Sequence, residues 1–315
     1  MFINYRRETE KNMKRKIIGI FICTLLIATI TLSASAEYNK NAKEIFTYND
    51  DVPIWNNGDS WTFTINDFNA DYTYEGKKIS IDGKIDNFKL IVSDTSGSSY
   101  RVDVTGEITG SYEIDIPIGS LFLKFTGTIS PTLTSFKGTI IFSKANLEIE
   151  DFNAQITGIT SISIHPFSIK IPFPIKLKAD ADLSTPFPLF NFPLHILKFW
   201  NMPEIDITTY INFGGLFGLF KIPMTVYTHY DFIPLAFSIL IKESITVEGG
   251  TYEAWKIQSL LGGFFEYYYA PAVGNLIKID VNMPRGGIEG ELKAFEKTRP
   301  AREVYFEHRK SGLRL

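Results

Sequence analysis

Three histidines, His165, His195 and His229, are the side chains of this 315-residue sequence that could share a metal, and they stand 30 and 34 residues apart. Protein ligands to zinc come at least partly as close pairs, so this spacing predicts polar strand or loop histidines and no metal site. Asp67-Phe68-Asn69-Ala70-Asp71 begins like a calcium loop, but Tyr72 occupies the glycine position and Lys78 the position of the bidentate glutamate. A solvated strand is the expectation there. Asp180 and Asp182 share a strand face about 7 Å apart and could work as a carboxylate pair, although Lys176 and Lys178 on that face favour solvation. Tyr267-Tyr268-Tyr269 offers a stacking surface, but alternate tyrosines more often pack a sheet. The sequence contains no G-x-S-x-G, H-E-x-x-H, phosphate loop or G-x-G-x-x-G. One cysteine, Cys23, excludes a disulfide framework and a thiolate zinc cage. The expectation is a protein with no catalytic residues, no metal and no cofactor.

Binding chemistry is more visible. Only ten charged residues occur between Ile162 and Ile241, and ten of the 15 prolines fall between Pro131 and Pro234. Within this Pro/Phe-rich middle section (130–240), Ile171, Phe173, Ile175, Phe187, Phe190, Phe192, Phe199, Trp200, Phe213, Phe217 and Phe220 are the candidate ligand-binding residues. One reading is that they fill the interior of a large sheet. The other leaves part of the tract accessible, lining a cavity or a rim that meets lipid, since large exposed apolar patches mark interaction sites.

The elements that must carry these residues are strands. Trp61, Phe63 and Ile65 alternate with polar residues, as do Phe88, Leu90 and Val92, then Tyr100, Val102 and Val104, then Tyr112 to Ile118 and Leu121 to Phe125. Period-2 alternation broken by Gly, Asp, Asn and Ser clusters, Thr105-Gly106 among them, predicts short antiparallel strands. The longest alternation, Ile169–Leu183, is apolar on one parity and Lys, Asp or Pro on the other. Proline cannot donate to a ladder, so this strand is expected at an edge or beside an opening. Ile65–Ala70 (I-N-D-F-N-A) is echoed 84 residues later by Ile149–Ala154 (I-E-D-F-N-A), either by chance or from two related halves. The predicted fold is mainly β, a large curved antiparallel sheet of half-barrel or barrel-like form, preceded by an N-terminal signal helix.

Met13 to Lys16 open into the uncharged run Ile17–Leu32, which exits through Ser33-Ala34-Ser35-Ala36. A cationic start, an apolar run and a small-residue exit describe a secretory signal peptide over 1–36, or an anchor if it is not cut. The leader carries six Lys/Arg and two Glu, so the remainder holds −7 against −3 for the whole chain. That acidity argues against nucleic-acid binding, which needs clustered Lys/Arg. A single β-rich domain is expected over 37–295, followed by a basic tail over 296–315. The location is secreted or extracytoplasmic, or membrane-anchored through the leader.

Trp55-Asn56-Asn57-Gly58-Asp59-Ser60-Trp61 at the start, with the later series G-G-T-Y-E-A-W-K-I (Gly249–Ile257) and Y-Y-Y-A-P-A-V-G-N-L-I-K-I (Tyr267–Ile279), resembles exported proteins of the LolA-like half-barrel type, especially their uncharacterised secreted members. The resemblance implies a curved antiparallel sheet with an apolar concave face, and lipid or lipoprotein binding as in the best-understood members. The expected function is non-enzymatic binding of lipid or another hydrophobic ligand on that face, with peripheral membrane contact. The alternative is a structural or adhesive protein with a filled core.

Overall fold

The computed structural model describes residues 52–298 apart from 75–76, 119–120, 166–168, 184, 202–205, 214–224, 232–235, 261–263 and 284–285. The leader and most of the basic tail therefore lie outside the described residues. The described elements are all strands: β1 (Ser60–Tyr74), β2 (Lys77–Asp94), β3 (Ser99–Ile118), β4 (Leu121–Ile129), β5 (Thr134–Ser143), β6 (Ile149–His165), β7 (Ile169–Leu183), β8 (Lys198–Asn201), β9 (Asp206–Phe213), β10 (Thr225–Asp231), β11 (Ala236–Val247), β12 (Gly250–Ser259), β13 (Phe265–Ala270), β14 (Asn275–Met283) and β15 (Gly286–Glu296). They form one antiparallel sheet in the order β10-β9-β7-β6-β4-β3-β2-β1-β15-β14-β13-β12-β11-β8. β4 and β5 share one lane between β3 and β6, interrupted by a turn at 130–133 whose Leu133 and Thr134 N–H groups donate to Ser130 O.

The sheet curls into a barrel-like shape, and one chain crossing measures how tightly. After β7, Phe187 exchanges backbone hydrogen bonds with Ile149 at the start of β6, and Leu189 O accepts the Tyr267 hydroxyl of β13 at 2.8 Å. β6 and β13 are seven ladder steps apart in the sheet, or about 34 Å along the surface at the usual strand spacing. Two or three residues of chain reach only about 10 Å, the distance between packed sheet faces. The two flanks must therefore fold over one another. At one end of the curl the β11–β12 hairpin meets β15, with Gly249 N–H donating to Leu292 O at 2.8 Å.

The alternation places one parity inside. Trp61, Phe63, Ile65, Phe88, Leu90, Val102 and Val104 are all essentially without exposure, and the inner face of β12 to β14 adds Trp255, Ile257, Tyr267, Tyr269 and Ile279. Phe68 and Phe152, equivalent positions of the two D-F-N-A segments, are both core residues. Trp55 closes the near end, stacked on Tyr100 at 4.7 Å and against Phe142 and Trp61 at 5.2 and 5.6 Å.

One expectation about strands is corrected, and another holds along part of a strand. Thr105-Gly106 does not end a strand, since β3 runs unbroken through it for 20 residues. Its glycines serve close packing: a Cβ on Gly106 would lie 2.7 Å from Ile85, and one on Gly110 would lie 2.3 Å from the Asp82 carbonyl. β7 is an edge along only part of its length. β6 pairs it from Ile169 to Ala181, whereas β9 pairs it only from Leu177 onward. Among the described residues no second ladder reaches Pro172 and Pro174, in keeping with their missing N–H.

Candidate functional site

The proline-rich crossing from β7 to β8 threads the hollow of the curled sheet. Phe187 and Phe190 are only 4% and 2% exposed, and Leu194 is fully buried. Phe190 lies 5.1 and 6.3 Å from the rings of Tyr269 and Tyr267, and Phe192 packs on both Phe190 and Tyr269. Trp200, 7% exposed, stacks on Phe237 at 5.7 Å. Phe187, Phe190 and Trp200, three of the residues expected to meet a ligand, are packed into the core. Edge-to-face and stacked aromatic pairs hold them beyond simple burial. Phe192 is half-buried against the same cluster. Ile171, Phe173 and Ile175 stand on β7 and Phe213 ends β9; their side chains, and Phe217 and Phe220 altogether, lie outside the described residues.

Phe199 behaves differently. It is 55% exposed, beside Leu197 at 66%. β8 pairs with the first residues of β11, so Phe199 faces Ser238, while Leu197 N–H donates to Ile239 O and Leu260 N–H to Ala236 O. Leu240, Ile241, Leu260 and Phe264 are exposed around them, as is Ile196. One margin of the sheet therefore presents a group of large apolar side chains on the face opposite the core. Beneath it the Ser238 hydroxyl is buried without a hydrogen-bond partner among the described residues. Lys198, between Leu197 and Phe199 in sequence, has the other parity and pairs with Ile239, its Nζ on Pro193 O at 2.7 Å and its pKa lowered by burial.

Along the border of this patch runs a polar cluster. Lys256 Nζ bridges to Glu266 Oε2 at 2.8 Å, Tyr268 donates to Glu266 Oε1 at 2.6 Å, and the ammonium sits 5.5 Å from the Tyr268 ring. Burial pushes the Tyr268 phenol up to about 12, with Glu266 acting in the same sense. Burial would also raise Glu266, but the hydrogen bonds from Lys256 and Tyr268 outweigh it and hold the carboxyl below its ordinary value. A phenol raised by folding favours the fold below the unfolded value of 10, and that contribution is lost as pH rises toward about 12. In a tyrosinate absorbance titration, the difference between the native protein and Tyr268→Phe should be silent near pH 10 and appear near pH 12. A difference curve centred at 10 would remove the cluster.

The residues singled out for chemistry are not brought together. His165 ends β6, exposed, while His195 sits in the turn before β8 with Nδ1 3.0 Å from Ile196 O; the side chain of His229 lies outside the described residues. Asp67 and Asp71 are strand residues bonded to Asn69 and Ser80. Asp180 points to solvent. Among the described residues no group of three His, Cys, Asp or Glu could hold a metal. Tyr267 and Tyr269 pack inward, and Tyr267 is raised well above its ordinary pKa by burial. The exposed Leu197, Leu240, Ile241, Leu260 and Phe264 were missed by sequence reasoning. Their only sequence signal is an apolar residue on the polar parity of a strand, as at Leu240.

The residues that carried the family resemblance do architectural work. Asp59, fully buried, accepts backbone N–H groups from Asn56 and Thr298 at 2.8 and 2.7 Å, which ties the first strand to the end of the last. Gly274, at φ 64°, closes the turn in which its N–H donates to Ala270 O. No known family model matches the chain, and no curated protein does. Among solved structures, a beta-barrel-like protein of the domain of unknown function DUF1849 from Brucella abortus matches at 8% identity over 78% of this chain and 100% of that one, with a TM-score of 0.27.

Proposed function

We propose that this is an exported, non-enzymatic β protein that meets lipid through the exposed apolar margin of β8, β11 and β12, and not within an interior cavity. The observation that carries this reading is Phe199 and Leu197 standing free beside Leu240, Ile241 and Leu260, where a monomeric surface normally scatters such side chains singly. Lys256 at the border of the same margin suits a membrane surface, on which apolar side chains insert and lysines lie at the headgroups. The leader-like Ile17–Ala36 supports an extracytoplasmic location, as does the resemblance to exported half-barrel proteins. The second reading, a structural protein with a filled core, is favoured by the aromatic crossing that occupies the hollow.

Vesicle flotation separates the two. A chain beginning at Glu37, so that the apolar leader contributes nothing, should float with phosphatidylcholine vesicles, and salt should not release it because the contact is apolar. Phe199→Asp combined with Leu240→Asp should abolish flotation, since each places a charge where an apolar side chain enters the bilayer margin. Absence of flotation by the unsubstituted chain, with or without phosphatidylglycerol, would leave the structural reading.

A further inference from the structure

Five strands on the other flank of the sheet bear two polar rows in register. Asp71, Ser80, Glu113, Thr126 and Ser163 stand side by side across β1, β2, β3, β4 and β6. Two residues along, Asn69, Asp82, Ser111, Thr128 and Ser161 form a second row on the same strands. Strand residues two apart share a face, and between the rows Ile81, Tyr112 and Gly127 turn to the other side. Together these thirteen residues line a groove of about 600 Å³, within the range of ligand sites.

Much of its hydrogen-bonding capacity is unspent. Ser80 donates to Asp71, Asn69 to Asp67, and Lys124 pairs with Glu113 at 2.7 Å. The side chains of Asp82, Ser111, Thr126, Thr128, Ser161 and Ser163 make no hydrogen bond among the described residues. Neighbours within a row are about 4.8 Å apart and the rows about 7 Å apart, so donors and acceptors recur along a length of about 19 Å. An apolar ligand here would strip water from hydroxyls and carboxylates without replacing it. Among the lining residues an anionic ligand would meet three carboxylates, Asp71, Asp82 and Glu113, and no lysine.

We propose that this trough binds an uncharged or amino-bearing saccharide chain. Such a chain offers hydroxyls along both edges, each a donor and an acceptor, and so matches two rows of Ser/Thr hydroxyls with carboxylate acceptors among them. The bonds are individually modest, and affinity arises from their repetition along the rows.

Isothermal titration calorimetry on the full chain tests this with three probes: cellohexaose, chitosan hexamer and dextran sulfate. Cellohexaose or chitosan hexamer should bind and dextran sulfate should not. Asp82→Ala with Ser111→Ala should weaken binding about tenfold or more, and Ser111→Trp, which fills the trough, should abolish it. Phe199→Asp, on the other flank, should bind as the unsubstituted chain does, which keeps this site distinct from the lipid-facing margin. The Ala pair replaces exposed side chains, and a thermal melt verifies its fold. Absence of heat from both uncharged and amino oligomers, competition by dextran sulfate, or unchanged affinity in the folded Ala pair would each overturn the proposal.

Discussion

Replacing Phe190 by alanine is expected to cost about 3–5 kcal/mol of folding free energy, read as a lower denaturant midpoint with an unchanged slope. The ring is 2% exposed and meets Tyr267, Tyr269 and Phe192 within 6.3 Å, so its removal leaves a cavity lined by rings that cannot collapse into it. The adjoining bond from Tyr267 to Leu189 O is also loosened, and a buried hydroxyl without its acceptor adds its own cost. The same substitution separates interior filling from ligand contact. A side chain that serves a ligand can be truncated with little loss of stability and a loss of binding. Phe190→Ala is expected to do the reverse, leaving vesicle flotation at permissive temperature intact. A variant as stable as the unsubstituted protein would show that the crossing is not part of the core.

Trp55→Ala should be comparably severe, about 3–5 kcal/mol. Trp55 precedes the first strand, where loss of a side chain is ordinarily tolerated, yet it is 2% exposed among Tyr100, Phe142 and Trp61. Its backbone N–H also donates to the Tyr100 hydroxyl at 3.2 Å. Without the indole, Tyr100 of β3 and Phe142 of β5 lose the ring packed on them. Chemical denaturation of Trp55→Ala and Trp55→Phe checks this, with Phe recovering part of the loss. Equal stability of Trp55→Ala would reduce the Trp-x-x-Gly-Asp-x-Trp segment to a surface strap.

The β class and the strand-facing pattern were legible because alternation is local: the parity of Trp61, Phe63 and Ile65 needs no partner to be read. Gly106 was misread as a break, because a residue without Cβ serves both a turn and a close approach between strands, and sequence does not distinguish them. The trough was not legible at all. Each strand shows its own polar parity, but Asp71 and Ser163 join one row only through the lateral register of five strands.

The chain's own pattern of residues thus determined the secondary structure, the inward parity of the long strands and the apolar character of the middle section. Tertiary structure alone decided which aromatics of that section are inside. Phe199 and Trp200 are neighbours of similar hydrophobicity, yet pairing of β8 with β11 turns one to solvent and stacks the other on Phe237. Prolines interrupt the periodicity there, so no local signal sets the parity. Contacts between residues far apart in sequence, such as Leu189 with Tyr267, fix the path of the crossing and with it the contents of the hollow.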